Sequence, residues 1–238
     1  MLIYCILLAA GAILLAVYIR QKIKAYSVKA VLIKSVVSVL FLAVAVYGWF
    51  FSAKDGSVQP IGVFVILGLL FGLLGDIWLD LKYVFPQEDA LFTRAGIGVF
   101  GVGHILFAAG LLTRYYLGGK PLYIVIPLVI AALGSAGNLL LEKKMKLDFG
   151  DLKPMLGAYG FLLFFMLLLA GSLALLNGFK VVTLDLFFIG GVLFAISDMI
   201  LNGTYFGEGK ERPVDLATNY LTYYGAQFLI ASSLMFLE

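Results

Sequence analysis

Eight stretches of about twenty mostly apolar residues follow one another along the chain, and the connections between them are too short to hold a soluble domain. They run over residues 2–19, 28–51, 61–82, 90–115, 121–141, 154–177, 181–202 and 215–237. A helix needs about 20 such residues to cross the hydrocarbon core, and only helices or closed barrels satisfy their backbones there. The expectation is an all-α polytopic membrane protein, a single integral membrane domain over residues 1–238. Turn-forming pairs fall in the connections at Asp55-Gly56, Gln59-Pro60, Gly118-Gly119, Asn177-Gly178 and Glu208-Gly209. Composition agrees: 63% of residues are hydrophobic and 13% charged, against about 45–50% and about 25% in a soluble domain. Stretch 2–19 has Arg20, Lys22 and Lys24 behind it and no basic residue before it, which reads as a first span and not a signal peptide.

Basic residues orient the spans. The connections after stretches one, three, five and seven carry twelve of them, including Lys22, Lys82, Lys143 and Lys210; the others carry four. The positive-inside rule places the first set in the cytoplasm and both termini outside. Connections this short suit a bacterial inner membrane. The net charge of +3 is scattered between apolar stretches and forms no nucleic-acid patch.

Against this background Asp76 and Asp80 stand out in LGLLFGLLGDIWLD. Four residues apart on a helix, they share one face. An Asp at mid-membrane costs about 2.5–3.5 kcal/mol on the insertion scale. By the topology above, both lie in the cytoplasmic third, as do Asp198, Asn138, Tyr159, Lys34, Tyr224 and Gln227, with His104 deepest. That convergence predicts one polar cavity opening toward the cytoplasm; acid/base residues facing a lipid-accessible cavity would suit a substrate with one long chain and one polar head, as in a lysolipid among membrane lipids. Several of these residues also have ordinary readings. Lys34 and the tyrosines can snorkel to the interface. His104, among Gly98, Gly101 and Gly103, can serve close helix packing, and Cys5 reads as a packed apolar residue. Asp is too short to snorkel far, which leaves Asp76 and Asp198 as the firmest candidates.

A second pattern links the halves. GDIWLDLKYVF from Gly75 aligns with SDMILNGTYFG from Ser197, setting Asp76 on Asp198 and Asp80 on Asn202. GHILFAAG from Gly103 aligns with AQFLIASS from Ala226, setting His104 on Gln227. The separations, 28 residues from Asp76 to His104 and 29 from Asp198 to Gln227, are nearly equal. Two parallel four-span repeats follow, residues 1–117 and 118–238, with a site between them.

The chain has one cysteine and one histidine, which excludes an intrachain disulfide, a CxxC pair and any multi-histidine metal site. A metal-dependent lipid hydrolase of the seven-span amidase type is therefore disfavoured. No Gly-rich phosphate loop or nucleophile elbow is present, and no cofactor is expected. Two carboxylates in unlike settings make an acid/base pair suited to oxocarbenium-like transition states. Intramembrane carboxylates and repeats are equally the mark of a proton-coupled transporter of small molecules or lipids.

LGLLFGLLGDIWLDL, FTRAGIGVFGVGHILFAAGL, GGVLFAISDMIL and YLTYYGAQFLIASSL, in that order, resemble the YhhN family of membrane proteins. The resemblance covers the chain from about the third span onward. It implies eight spans and a hydrolase of lysoplasmalogens, cleaving their vinyl ether to an aldehyde and a glycerophospho-head group. It places the family's polar residues on Asp76, His104, Asp198, Tyr224 and Gln227. On this reading Asp76, Asp198 and His104 are catalytic, and Asp80, Tyr224, Gln227, Lys34, Tyr159 and Asn138 bind substrate.

Overall fold

The computed structural model describes residues 1–24, 27–53, 59–116, 120–207 and 212–237. Asp55-Gly56, Gly118-Gly119, Glu208-Gly209 and the basic residues Lys54 and Lys210 lie outside the described residues. Long apolar runs become eight long helices: α1 (Leu2–Lys24), α2 (Val28–Ser52), α3 (Ile61–Val84), α4 (Asp89–Tyr115), α5 (Leu122–Leu140), α6 (Lys153–Leu176), α7 (Val182–Phe206) and α8 (Pro213–Ser233). Short 3-10 turns precede α4 and α6 and follow α8. Among the described residues there is no strand, only a β-bridge between Leu147 and Gly207. Seven helices, α1 to α7, are long and apolar enough to cross a membrane, and the chain is an integral membrane protein. The eighth, α8, falls short in apolarity because its inward face carries Asn219, Tyr223, Tyr224 and Gln227, all buried.

Helix boundaries follow local chemistry. The Ser27 hydroxyl caps α2 by accepting from the Ala30 N–H. Proline stands in the first turn of α6 and of α8, where its missing N–H costs nothing. Pro127 lies inside α5 and cannot bond the carbonyl one turn before it. That carbonyl, of Tyr123, accepts instead from the Ser172 hydroxyl of α6 at 2.9 Å. The main departure from expectation is α1, which runs to Lys24 and not to residue 19. Tyr18 and Lys22 are thereby one turn apart on a buried face, so Lys22 is an interior group and not a loop charge. Cys5, expected to be packed, is exposed on the same helix, since the outer face of α1 meets no other part of the bundle.

The helices pack as neighbours in sequence, α1 on α2, α3 on α4, α5 on α6 and α7 on α8, and α4 also packs on α6 and α2 on α8. Small residues allow the closest approaches. A Cβ added at Gly68 would lie 3.1 Å from the Gly103 carbonyl oxygen, and one at Gly190 3.1 Å from that of Ala226.

The connection from α5 to α6 is itself folded. Leu147, Phe149 and Leu156 form a small core with Ile97 on α4. Phe149 meets Phe206 of α7 edge to face, and the Asp148 N–H bonds the Phe206 carbonyl at 2.9 Å. Glu142 ties the segment together: one carboxylate oxygen accepts from the Phe149 N–H at 2.7 Å and the other from Lys153 at 2.5 Å. Lys143, Lys144, Lys146 and Lys153 make this the basic end of the bundle. The Lys153 ammonium, then the Phe149 N–H, hold the Glu142 carboxyl below its ordinary value. A carboxyl held low in the folded state stabilises above its ordinary range and loses that contribution as pH falls through its lowered value. Amide exchange at Phe149 is therefore expected to stay slow, after correction for intrinsic rates, from neutral pH down to about pH 4 and to rise only below it. Glu142→Gln raises it already at neutral pH; hydrogen-exchange mass spectrometry reads both.

Candidate active site

Four pairs of polar residues, each one helical turn apart, meet near the basic end: Tyr18 and Lys22 on α1, Lys34 and Ser38 on α2, Asp76 and Asp80 on α3, Tyr223 and Gln227 on α8. Lys34 is buried between both carboxylates, its Nζ 3.2 Å from Asp76 Oδ1 and 3.4 Å from Asp80 Oδ1. It does not snorkel. Asp80 is further held by Lys22 at 2.8 Å and by the Tyr18 hydroxyl at 2.9 Å. On Asp76, Oδ2 accepts from Ser38 at 2.7 Å and from Tyr223 at 2.9 Å. The Tyr223 oxygen accepts in turn from Gln227 Nε2 at 2.9 Å. Tyr224 is fully buried, 3.1 Å from Ser38 Oγ and 3.5 Å from Asp76 Oδ2. Two carboxylates and two ammonium groups thus face one another, which offsets the cost of burying each.

Asp198 on α7 has a different setting. Its Oδ2 accepts from the Tyr159 hydroxyl of α6 at 2.5 Å, and no cation lies within 4.0 Å of it among the described residues. His104 of α4 stands behind Tyr159, with Nε2 3.4 Å from the phenol oxygen. The phenol hydrogen is used on Asp198, so in this contact the proton sits on Nε2. His104 Nδ1 is buried without a partner among the described residues. Phe194 closes on the imidazole edge to face, with ring centroids 4.8 Å apart.

One cavity of about 60 Å³ joins the two centres; Lys34, Asp76, Tyr159, Asp198, Asn202 and Tyr223 are among its polar walls, with Leu79, Phe100 and Phe194 among the apolar ones. A water needs about 10–15 Å³ by the same measure, so a few fit. Phe206 lies at its rim beneath the α5–α6 connection.

Of the residues expected to form a site, the structure brings Lys34, Asp76, Tyr159 and Asp198 onto this cavity. His104, Gln227 and Tyr224 lie one hydrogen bond behind it, on Tyr159, Tyr223 and Asp76. Asp80 is off the cavity wall, 1% exposed, and anchors Lys34 and Lys22. Its Oδ1 faces Lys22 and Lys34 and its Oδ2 the Tyr18 hydroxyl. Asn138 lines an adjoining cavity, which shares Tyr159 and Asp198. Ser38, Tyr18 and Lys22 were not singled out; the one-turn spacing they share with the Asp pair is the signal that marks them. Among the described residues no three His, Cys, Asp or Glu side chains gather as a metal site; ammonium groups occupy the place a cation would take beside Asp76 and Asp80.

The family model described as the YhhN family matches residues 29–234 of the chain, which therefore belongs to that family. The match begins one residue into α2, so Lys34 lies inside it and Tyr18 and Lys22 outside. Comparison with curated proteins and with solved structures returned no match.

Removing one partner of a buried ion pair costs about 3–5 kcal/mol. Lys34→Met is expected to lose that much in detergent, seen as a lower Tm. In the Lys34→Met background Asp76→Asn should cost less than it does alone; simply additive losses would show the two groups to be uncoupled.

Proposed function

From membership of the YhhN family, which contains lysoplasmalogenases, and from the contrast between Asp76 and Asp198 on one cavity, we infer that this protein hydrolyses the vinyl ether of a lysoplasmalogen-type lipid. The observation that carries this reading is that contrast. Asp76 faces an ammonium and accepts two hydroxyl hydrogen bonds, which suits an ionised base. Among the described residues Asp198 is held by a phenol and by no cation, which suits the group that carries the proton.

The reaction then runs without a cofactor. Asp198 donates its proton to the alkene carbon remote from the ether oxygen, leaving an oxocarbenium ion shared by the other carbon and that oxygen. A water in the cavity gives a proton to Asp76 as its oxygen bonds to the cationic carbon, forming a hemiacetal. Collapse breaks the bond to the glyceryl oxygen, which takes the proton from Asp76; the hemiacetal hydroxyl returns its proton to Asp198 as the aldehyde forms. Tyr159, backed by His104, orients Asp198, and Tyr223, backed by Gln227, orients Asp76.

The same reading takes all eight long helices as crossings, α8 included, with both termini outside a bacterial inner membrane. It also takes the chain as two halves, 1–117 and 118–238. The matching approaches of Gly68 to Gly103 and Gly190 to Ala226 support those halves. So does the exchange of helix faces, α2 on α8 and α6 on α4. A proton-coupled carrier draws on the same halves and carboxylates, and one experiment separates the two. Purified protein is given a vinyl-ether lysolipid, its alkyl-ether analogue and its ester analogue. Aldehyde is expected from the vinyl ether alone, reduced about 10²–10⁴-fold in Asp76→Asn and in Asp198→Asn. Losses of threefold or less, about 0.7 kcal/mol, in both variants would remove the acid/base roles. No turnover, with substrate-dependent proton flux in liposomes, would make the protein a carrier.

A further inference from the structure

A cleft runs along α6 between α5 and α7. α5 packs on α6 and hardly touches α7, so α6 is the floor and one side is open. Near the basic end the cleft deepens into a cavity of about 270 Å³. Leu156, Leu163 and Ala195 are buried at its base, and Gly134, Leu141 and Met199 are exposed at its rim. Tyr159, Asp198 and Asn202 line both this cavity and the one that holds Asp76. Farther along α6 the same three helices enclose a second space of about 550 Å³, walled by Ile126, Ile130, Leu168 and Phe188. Its one hydroxyl on α6, Ser172, is engaged with the Tyr123 carbonyl. Taken together the two spaces are polar at one end, at Asn138, Asn202 and Asp198, and apolar at the other. From Tyr159 to Ser172 they follow about 20 Å of α6.

The glycines here differ from those of the tight helix contacts. A Cβ at Gly137 would meet nothing within 4 Å, and one at Gly134 only the Phe164 ring at 3.4 Å. Neither is needed for helices to approach, and glycine inside a helix costs about 0.5–1 kcal/mol relative to alanine. What these positions provide is open space beside Asp198.

We propose that this cleft seats the single hydrocarbon chain of an amphiphilic lipid, which slides in sideways from the bilayer and brings its polar end to Asn202 and Asp198. The fate of the lipid at Asp198 rests on the hydrolase reading above; the seat does not. The floor is one helix wide and takes one chain laid along it. The groove between α1 and α8, about 540 Å³ with Arg20 and Lys24 at its edge, is similar in size but shares no lining residue with the reaction cavity.

The test uses full-length protein in nanodiscs and a long-chain lysophospholipid with a diazirine near the end of its chain. After photolysis, peptide mapping is expected to find label on α5, α6 and α7 along the cleft, competed away by unlabelled lysophospholipid. Gly137→Phe fills the cavity and is expected to keep its Tm, to lose that label and to raise KM for the vinyl-ether lysolipid about tenfold, the weight of about two excluded methylenes. Gly134→Leu, about one turn away on the same helix, repeats the test should Gly137→Phe disturb folding. Label concentrated in the α1–α8 groove, or label in the cleft that both variants leave unchanged, overturns the proposal. Wild-type label in the cleft with no aldehyde release upholds the seat and overturns the hydrolase.

Discussion

Lys34 stands buried between two carboxylates, and the architecture of this end of the bundle answers to that fact. A buried charge must be matched closely or it costs several kcal/mol. Here the matching is shared among four helices: α2 brings the ammonium, α3 both carboxylates, α1 a second ammonium with a phenol, and α8 a further phenol. Each contributes a pair one turn apart, so the contacts form a short ladder. Sliding any of the four by a residue would rotate its pair by about 100° and break two rungs together. The ladder thereby sets helix register as well as charge, a task that nonspecific apolar packing between membrane helices performs poorly.

Asp198 escapes that arrangement and is the more instructive group for it. Its position in α7 corresponds to that of Asp76 in α3 in the aligned segments, yet its close partner among the described residues is Tyr159. Two carboxylates reach one small cavity, one surrounded by donors and a cation, the other lightly held. Chemistry that needs one proton delivered and another removed is served by such a difference, whatever the substrate.

The bilayer explains why so much of the fold was legible in the sequence. Its thickness demands long apolar runs, so α2 to α7 begin and end within a few residues of where hydropathy puts them. The exceptions occur where polar residues turn inward. Lys22 looks like the end of a span but continues one, because Asp80 receives it. α8 looks half-soluble because the polar face that lowers its apolarity is the one it buries. The candidate residues were legible as rare charges in apolar surroundings, but their division of labour was not. Asp80 differs from Asp76 by one turn in sequence and by its removal from the cavity in space. The fold of the α5–α6 connection was hidden for another reason: Phe149 is ordered by Phe206, which is nearly sixty residues away.

α5 is the shortest of the eight long helices, at 19 residues, about 28 Å of rise. Its main neighbour is α6, which it meets from the Tyr123–Ser172 hydrogen bond to the one between Ser135 and Gly157. A bilayer thicker than this span must thin around α5 or expose its ends, at a cost of fractions of a kcal/mol per Å, whereas its longer neighbours have residues to spare. Because α5 forms one bank of the cleft, the thickness and lipid makeup of the surrounding membrane act mechanically on the width of that opening. The bilayer is then a control on the site as well as its solvent.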